Sequence, residues 1–153
     1  CWIMGRANST YSDQVRAEIE RLGLHDSVLL KGFVTEAELL DAYSRADVFC
    51  VPSINEGPRF EGFGLVYLEA SAAGLPVIGT TDTGATDAID DGVTGMLVPQ
   101  ARLETALAPA LVSLLTDDAL RQRMGAAGRL KAEGQTWDAT AQALIDLYND
   151  LVN

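Results

Sequence analysis

The chain has 153 residues, of which 48% are hydrophobic and 22% charged, and its net charge is −11. These values are typical of one globular domain with a substantial core, and they exclude a disordered or fibrous chain. Without an apolar run of about 20 residues or a signal-peptide pattern, we expect no membrane-spanning helix and a cytoplasmic location. The acidic balance argues against a nucleic-acid binder, which normally carries a basic stripe, but a small anion can still bind to backbone N–H groups.

In the first half of the chain, short apolar runs alternate with amphipathic stretches. Thr35 and Glu38 form a capping-box pattern that predicts the start of a helix. In chain order, the predicted elements are a strand at 2–4, a helix at 13–22, a strand at 28–30, the helix after Thr35 and a strand at 47–51.

The second half continues the alternation and then becomes helical throughout. A loop at 54–63 leads into a predicted helix at 64–73, and strands follow at 76–79 and 95–98 with a glycine-containing loop at 80–85 between them. From Leu103 we predict three helical segments with breaks near Thr116 and Gly134. Strands that are apolar throughout predict an α/β fold, a Rossmann-like three-layer parallel sheet with C-terminal helices. Such sheets bind ligands at the carboxyl ends of their strands.

Several residues have structural interpretations. Cys1 and Cys50 lack metal or redox spacing, and we interpret Cys50 as a buried free thiol in a reducing compartment. His25, the only histidine, is predicted to lie on the surface. A helical stripe near the C-terminus is more typical of core than of a cofactor site, and we expect part of it to be exposed in this chain: Trp137, Ala141, Leu144, Tyr148 and Leu151.

The most informative segment runs from Glu61 to Ala70, where a loop with two glycines enters a helix. Glycines let a ligand approach the backbone, and the helix start offers free N–H groups and a partial positive charge to an anion. The glycine pattern alone is equally typical of a tight turn between a loop and a helix. Glu61 and Glu69 favour a ligand site, because a carboxylate can accept hydrogen bonds from both hydroxyls of a diol. An anion at the helix start would lie between them, as a diphosphate lies between a ribose and a sugar.

These residues resemble the Glu-x7-Glu motif of retaining GT-B glycosyltransferases of family four, in their C-terminal, donor-binding domain. The resemblance continues through 70–80, includes the upstream strand at 46–53, and extends downstream through Gly84 and 91–99, so it covers nearly the whole chain. It implies one nucleotide-sugar-binding domain at 1–153 and transfer of a sugar from a nucleoside-diphosphate sugar to an acceptor. The implied reaction retains the anomeric configuration and needs no cofactor and no metal.

The resemblance also implies roles for single residues. Glu61 is the catalytic position, orienting hydroxyls of the transferred sugar, and Glu69 holds the ribose hydroxyls. The remaining donor-binding positions are backbone groups: Gly62, Phe63, Gly64 and Leu65 at the sugar or diphosphate, and Gly32, Phe33 and Val34 beside the base.

The chain departs from the family at three places. After the first strand only Gly5 matches the family's glycine-rich turn, and Arg6 is either a phosphate contact or an exposed cation. The loop before the motif is long, and Arg59 in it is interpreted as a solvated cation rather than a ligand contact. Where the family often has a glutamate after the second glycine loop, this chain has Asp87, with a possible helix-capping role.

The chain opens with Cys1 rather than Met, which we interpret as a piece of a longer protein. In the family, an Arg and a Lys that neutralise the diphosphate precede Gly5, after a central strand. We therefore expect a gap between the strands at 2–4 and 47–51, and an acceptor domain in the parent, against which the helix at about 136–152 packs. Any peripheral membrane contact would come from the missing parts. The chain alone is expected to bind the donor without catalysing transfer.

The alternative functions are those of a glycosidase, a dehydrogenase and an interaction module. A glycosidase needs two carboxyl groups about 5–9.5 Å apart around one bond, whereas Glu61 and Glu69 would reach different parts of one ligand. A dehydrogenase is disfavoured because no Gly-x-Gly-x-x-Gly follows the first strand. A non-catalytic Rossmann-like interaction module stays open as the alternative, and it predicts a large apolar surface patch and no nucleotide binding.

Overall fold

The computed structural model describes residues 1–5, 9–58 and 60–152. The chain divides into two compact units, Cys1–Ala42 and Tyr43–Asn153, and each has its own parallel sheet. Parallel strands with helices between them confirm the predicted α/β class. The predicted single nucleotide-sugar-binding domain stays a prediction.

The N-terminal unit is built on two parallel strands. It contains strand β1 (Trp2–Met4), helix α1 (Ser9–Arg21), strand β2 (Leu29–Gly32) and the beginning of helix α2 (Glu36–Arg45). Trp2 pairs with Leu29, and Ile3 with Leu30. The side chains of Trp2, Ile3 and Leu29 are exposed, because two strands are too few to build a covered sheet.

The capping box predicted at the start of α2 is present. The backbone N–H of Glu38 donates to Thr35 Oγ1 at 3.3 Å, and the Thr35 N–H donates to Glu38 Oε2 at 2.8 Å. The hydrogen bonds from the Thr35 backbone and side chain lower the pKa of the Glu38 carboxyl. This reciprocal pair satisfies donors that a helix start leaves without intrahelical partners.

The C-terminal unit has three parallel strands in the order β3–β4–β5. Val77 in the central strand pairs with Phe49 on one side and Gly95 on the other. Its elements are β3 (Phe49–Cys50), α3 (Leu65–Ala72), β4 (Val77–Thr80), α4 (Ala85–Ala88), β5 (Gly95–Val98), a 3-10 turn (Gln100–Arg102), α5 (Leu103–Thr116), α6 (Asp118–Gly134) and α7 (Trp137–Val152).

The central strand β4 is buried along its whole length, as its apolar sequence predicts. The core around it contains Ile78, Val98, Leu114 and Met124, so α5 and α6 cover this part of the sheet. Asp117 begins α6 by accepting a hydrogen bond from the Leu120 N–H at 2.9 Å. The breaks predicted near Thr116 and Gly134 coincide with the ends of α5 and α6.

Several predicted boundaries differ from the structure. Helix α1 begins at Ser9, four residues before the predicted start at residue 13, and strand β2 covers Leu29–Gly32 instead of 28–30. Strand β3 has only two residues instead of five, because only Phe49 and Cys50 pair with β4. The predicted loop at 80–85 leads into a short helix, α4, that the sequence pattern did not reveal. The Thr83 hydroxyl accepts from the Ala85 N–H at its start. Asp87 lies in the first turn of α4, and the helix-capping role suggested for it stays a prediction.

Helix α7 exposes the stripe that was predicted to be partly uncovered. The exposed fractions are 80% for Trp137, 55% for Leu144, 63% for Tyr148 and 74% for Leu151. No residue of α7 is buried. Packing of α7 against a further domain stays a prediction. None of the helices in the described ranges has the length and apolarity needed to cross a bilayer.

Cys50 is half-buried rather than fully buried, and it is a free thiol packed against the core. Burial raises the pKa of this thiol to about 11. We expect iodoacetamide at pH 8 to alkylate Cys50 at least about 10-fold more slowly than the exposed Cys1, because the thiolate is the nucleophile. Peptide mapping measures both rates, and in urea the two should become similar. Equal rates in the native protein would contradict the raised pKa.

Candidate functional site

Residues 54–58 and 60–64 and the start of α3 lie at the carboxyl end of the C-terminal unit's sheet. Ser53 follows β3, and its backbone carbonyl accepts a hydrogen bond from Thr80 Oγ1, at the end of β4, at 2.5 Å. The ligand region of an open parallel sheet lies at this edge. The structure thus places the Glu61–Leu65 segment where the strand pattern predicted a site.

Glu61 is partly buried and is held by its backbone. Its N–H donates to Asn55 Oδ1 at 3.0 Å, and its carbonyl accepts from the Gly84 N–H at 2.8 Å. Its carboxylate accepts from Ser53 Oγ at 3.3 Å. The carboxyl carbon lies 3.6 Å from the point where a Cβ would stand on Gly64. The carboxylate is therefore directly beside the start of α3.

The start of α3 has the features of an anion site. Gly64 caps the helix with φ 77° and without a capping side chain. Within the described part of the chain, no backbone carbonyl accepts a hydrogen bond from the N–H of Gly62, Phe63, Gly64 or Leu65. These donors and the helix dipole can bind a negatively charged group.

Two glycines allow close packing around this helix start. A Cβ on Gly64 would stand 2.5 Å from the ring of Tyr67, and one on Gly84 would stand 2.3 Å from the carbonyl carbon of Gly62. Gly64 also has a left-handed φ, which favours glycine. The loop after β4 therefore packs directly against the Gly62–Phe63 backbone at Gly84.

Glu69 lies five residues after Gly64, which is about 7–8 Å further along the helix axis. Its side chain is exposed, and Oε2 accepts a hydrogen bond from the Tyr43 hydroxyl at 3.3 Å. Burial, followed by the Glu69 charge, raises the pKa of Tyr43 to about 12. The phenol is therefore a proton donor over the physiological range, and it orients a carboxylate that has further acceptor positions.

The structure brings together only some of the predicted site residues. Glu61 and the backbone of Gly62, Phe63, Gly64 and Leu65 cluster at the α3 start, with Glu69 further along the same helix. Gly32, Phe33 and Val34 belong to the N-terminal unit, so their role beside a base stays a prediction. Arg6 and Arg59 lie outside the described residues. His25 is exposed next to Asp26, as expected of a surface residue.

Sequence reasoning missed the residues that support the two glutamates. Tyr43, which holds Glu69, is a buried residue of α2. Asn55, which holds Glu61, lies in the long loop before the motif. Tyr43 contacts Glu69 across 26 positions of the sequence, and Asn55 contacts Glu61 across six positions of an irregular loop, so neither contact has a periodic pattern that could have identified it.

The predicted absence of a metal stays a prediction. In the ranges 1–5, 9–58 and 60–152, no three His, Cys, Asp or Glu side chains are grouped so that they could hold a metal ion.

Known proteins with similar sequences and structures are glycosyltransferases. Residues 1–131 match the sequence model of the family described as "Glycosyl transferases group 1". A D-inositol 3-phosphate glycosyltransferase from Kribbella flavida is 39% identical over 142 residues, which are 92% of this chain and 32% of that protein. The chain thus spans about a third of the length of this curated relative.

Solved structures extend the comparison. Sucrose-phosphate synthase from Thermosynechococcus elongatus superimposes with a TM-score of 0.80 and 30% identity, covering 99% of this chain and 38% of the other. HepE from Anabaena, crystallised with UDP and glucose, gives a TM-score of 0.79 and 23% identity, covering 97% of this chain and 40% of the other. The neighbours have the GT-B fold, which confirms the predicted architecture.

Proposed function

We propose that this chain, which belongs to the glycosyl transferases group 1 family, binds the nucleoside-diphosphate sugar of a retaining sugar transfer. The observation that carries this proposal is the position of the Glu61 carboxylate beside the start of the helix that also contains Glu69. The resemblance of the Glu61–Glu69 spacing to the Glu-x7-Glu motif supports the retaining course.

The roles follow from the chemistry of each group. The diphosphate lies at the α3 start, where the described backbone leaves N–H groups without carbonyl acceptors and the helix dipole favours negative charge. Glu69, oriented by Tyr43, accepts hydrogen bonds from the ribose diol, and Glu61 accepts them from the sugar hydroxyls. Holding donor and acceptor in alignment is itself catalytic, because it removes much of the entropic cost of the reaction.

This chain's share of the reaction is donor recognition. A helix start stabilises an anion by about 0.3–1 kcal/mol, and by at most about 2 kcal/mol in favourable geometry. Removing one preorganised donor from a charged transition state commonly costs about 2.7–4 kcal/mol. The helix start is therefore too weak to stabilise the departing diphosphate alone. We propose that the parent protein supplies cations and the acceptor site outside this chain.

Titration calorimetry of the 153-residue chain with nucleoside-diphosphate sugars tests the proposal, beginning with UDP-glucose because HepE of the same fold is also known in complex with it. The expected result is saturable binding of at least one donor of the panel. Absence of heat with every donor, from protein that is folded by circular dichroism, would contradict donor binding and favour the non-catalytic interaction module.

Substitution of Glu69 by alanine is expected to weaken binding of both the nucleotide sugar and its nucleoside diphosphate by about 10- to 100-fold, because both contain the ribose. Tyr43→Phe, which removes the hydroxyl that orients Glu69, should give a smaller loss. A Glu69→Ala variant that binds UDP as tightly as the unsubstituted chain would show that this glutamate does not hold the ribose.

A further inference from the structure

We infer that Asn55 is a positioning residue that sets the place of Glu61 relative to the transferred sugar. This inference rests on the proposed function. Asn55 lies in the long loop before the motif. The contacts of its amide and its backbone connect the segments that follow all three strands of the C-terminal unit.

The side chain of Asn55 connects the loop after β3 with the loop after β4. Its Oδ1 accepts from the Glu61 N–H at 3.0 Å, and its Nδ2 donates to the Asp82 carbonyl at 2.5 Å. Both ends of the amide are therefore in use. A carboxylate at this position could keep the first contact but would face the Asp82 carbonyl without a proton to donate.

The backbone of Asn55 is held by the segment after β5. Gln100 Oε1 accepts from the Asn55 N–H at 3.1 Å, and Gln100 Nε2 donates to the Asn55 carbonyl at 3.3 Å. One side-chain amide thus pairs with both polar groups of the Asn55 backbone. Because Gln100 lies two residues after the end of β5, this pair fixes Asn55 to the carboxyl edge of the sheet.

The described residues hold the backbone of Glu61 more closely than its side chain. Among them, Ser53 donates to the carboxylate at 3.3 Å, whereas the backbone has two shorter hydrogen bonds, to Asn55 and from Gly84. The residue is also followed by Gly62, which adds backbone freedom. Asn55 therefore restrains the position from which the carboxylate reaches a sugar.

A comparison of two ligands separates positioning from general stability. Asn55→Ala is expected to weaken UDP-glucose binding by about 10-fold while changing UDP binding by less than about 2-fold, since Glu61 faces only the sugar. In a Glu61→Ala background the same substitution should have no further effect on UDP-glucose. An equal loss for both ligands, or an undiminished loss in the Glu61→Ala background, would overturn the inference.

Hydrogen exchange gives a readout that needs no ligand. In Asn55→Ala the Glu61 N–H loses its acceptor, so its exchange should be at least about 5-fold faster. In Asn55→Asp, which keeps an acceptor oxygen, the increase should be smaller. An unchanged exchange rate of the Glu61 N–H in Asn55→Ala would contradict the positioning role. Failure of the unsubstituted chain to bind any donor would contradict only the proposed function.

Thr94→Ala is the matched control. Thr94 is buried, and its Oγ1 accepts one backbone hydrogen bond, from the Asp90 N–H at 2.9 Å. It precedes β5, at the amino end of the sheet and so away from the site. Thr94→Ala should lower the free energy of unfolding without changing the affinity for UDP-glucose relative to that for UDP. If Asn55→Ala does not fold, Gln100→Ala replaces it, because this variant frees only the Asn55 backbone. It should weaken UDP-glucose binding more than UDP binding, by a smaller factor than Asn55→Ala. An equal loss for the two ligands would overturn the inference.

Discussion

Replacing Gly84 by alanine is expected to weaken donor binding by about 100-fold while leaving the sheet intact. The added Cβ would stand 2.3 Å from the carbonyl carbon of Gly62 and 2.4 Å from the N of Phe63, where ordinary contact begins at 3.4 Å. The loop must therefore move by about 1 Å, which would break the proposed hydrogen bonds from the Gly62 and Phe63 N–H groups to the diphosphate. Hydrogen bonds to a charged acceptor contribute about 1.5–3 kcal/mol each, so losing them corresponds to about 100-fold in affinity. Gly84 itself has φ −60°, so alanine adds no backbone strain there.

The loss should come from the displaced loop and not from unfolding. Thr86→Ala is a suitable control, because Thr86 lies two residues away in the same segment, is exposed, and adds no volume when shortened. Titration calorimetry with UDP-glucose, together with far-ultraviolet circular dichroism, measures binding and fold. A Gly84→Ala chain with normal affinity would show that the Gly62–Phe63 backbone does not contact the donor.

Replacing Tyr67 by alanine is expected to lower the free energy of unfolding by about 3–5 kcal/mol. Tyr67 is fully buried on α3, and its ring packs edge-on against Phe49 at a centroid distance of 6.0 Å. The ring also packs against Gly64 and Gly79, because a Cβ built on either glycine would contact it. Truncation leaves a cavity between the helix start and the sheet. Urea denaturation followed by circular dichroism measures the loss.

Tyr67→Phe separates the packing of the ring from its hydroxyl. The hydroxyl donates to the Val51 carbonyl at 2.5 Å, but this carbonyl also accepts from the Ser53 N–H at 2.9 Å. It therefore keeps a partner in the variant, and the expected cost is only about 0.5–1.5 kcal/mol. Similar losses for Tyr67→Phe and Tyr67→Ala would show that the hydrogen bond dominates over the packing.

Much of the secondary structure follows from local sequence. The capping box at Thr35 and Glu38 is satisfied within one turn, and the apolar run at β4 requires burial on both faces. The ends of α5 and α6 also occur where the pattern predicted them. These features depend on neighbours a few residues apart, so local physics is sufficient to predict them. The pairing of strands in two separate sheets could not be read in this way, because pairing is decided between distant segments.

The sequence by itself determined the candidate site: two glutamates around a glycine-rich helix start. The spacing of Glu61 and Glu69 and the glycines between them are local, and a helix start presents free N–H groups wherever it occurs. Only the tertiary structure decided how these groups are held. Tyr43 and Gly84 reach the site from other segments, and Asn55 from the beginning of the same loop, through one hydrogen bond each. Such contacts leave no periodicity or spacing in the sequence, because they form only when the chain has folded around them.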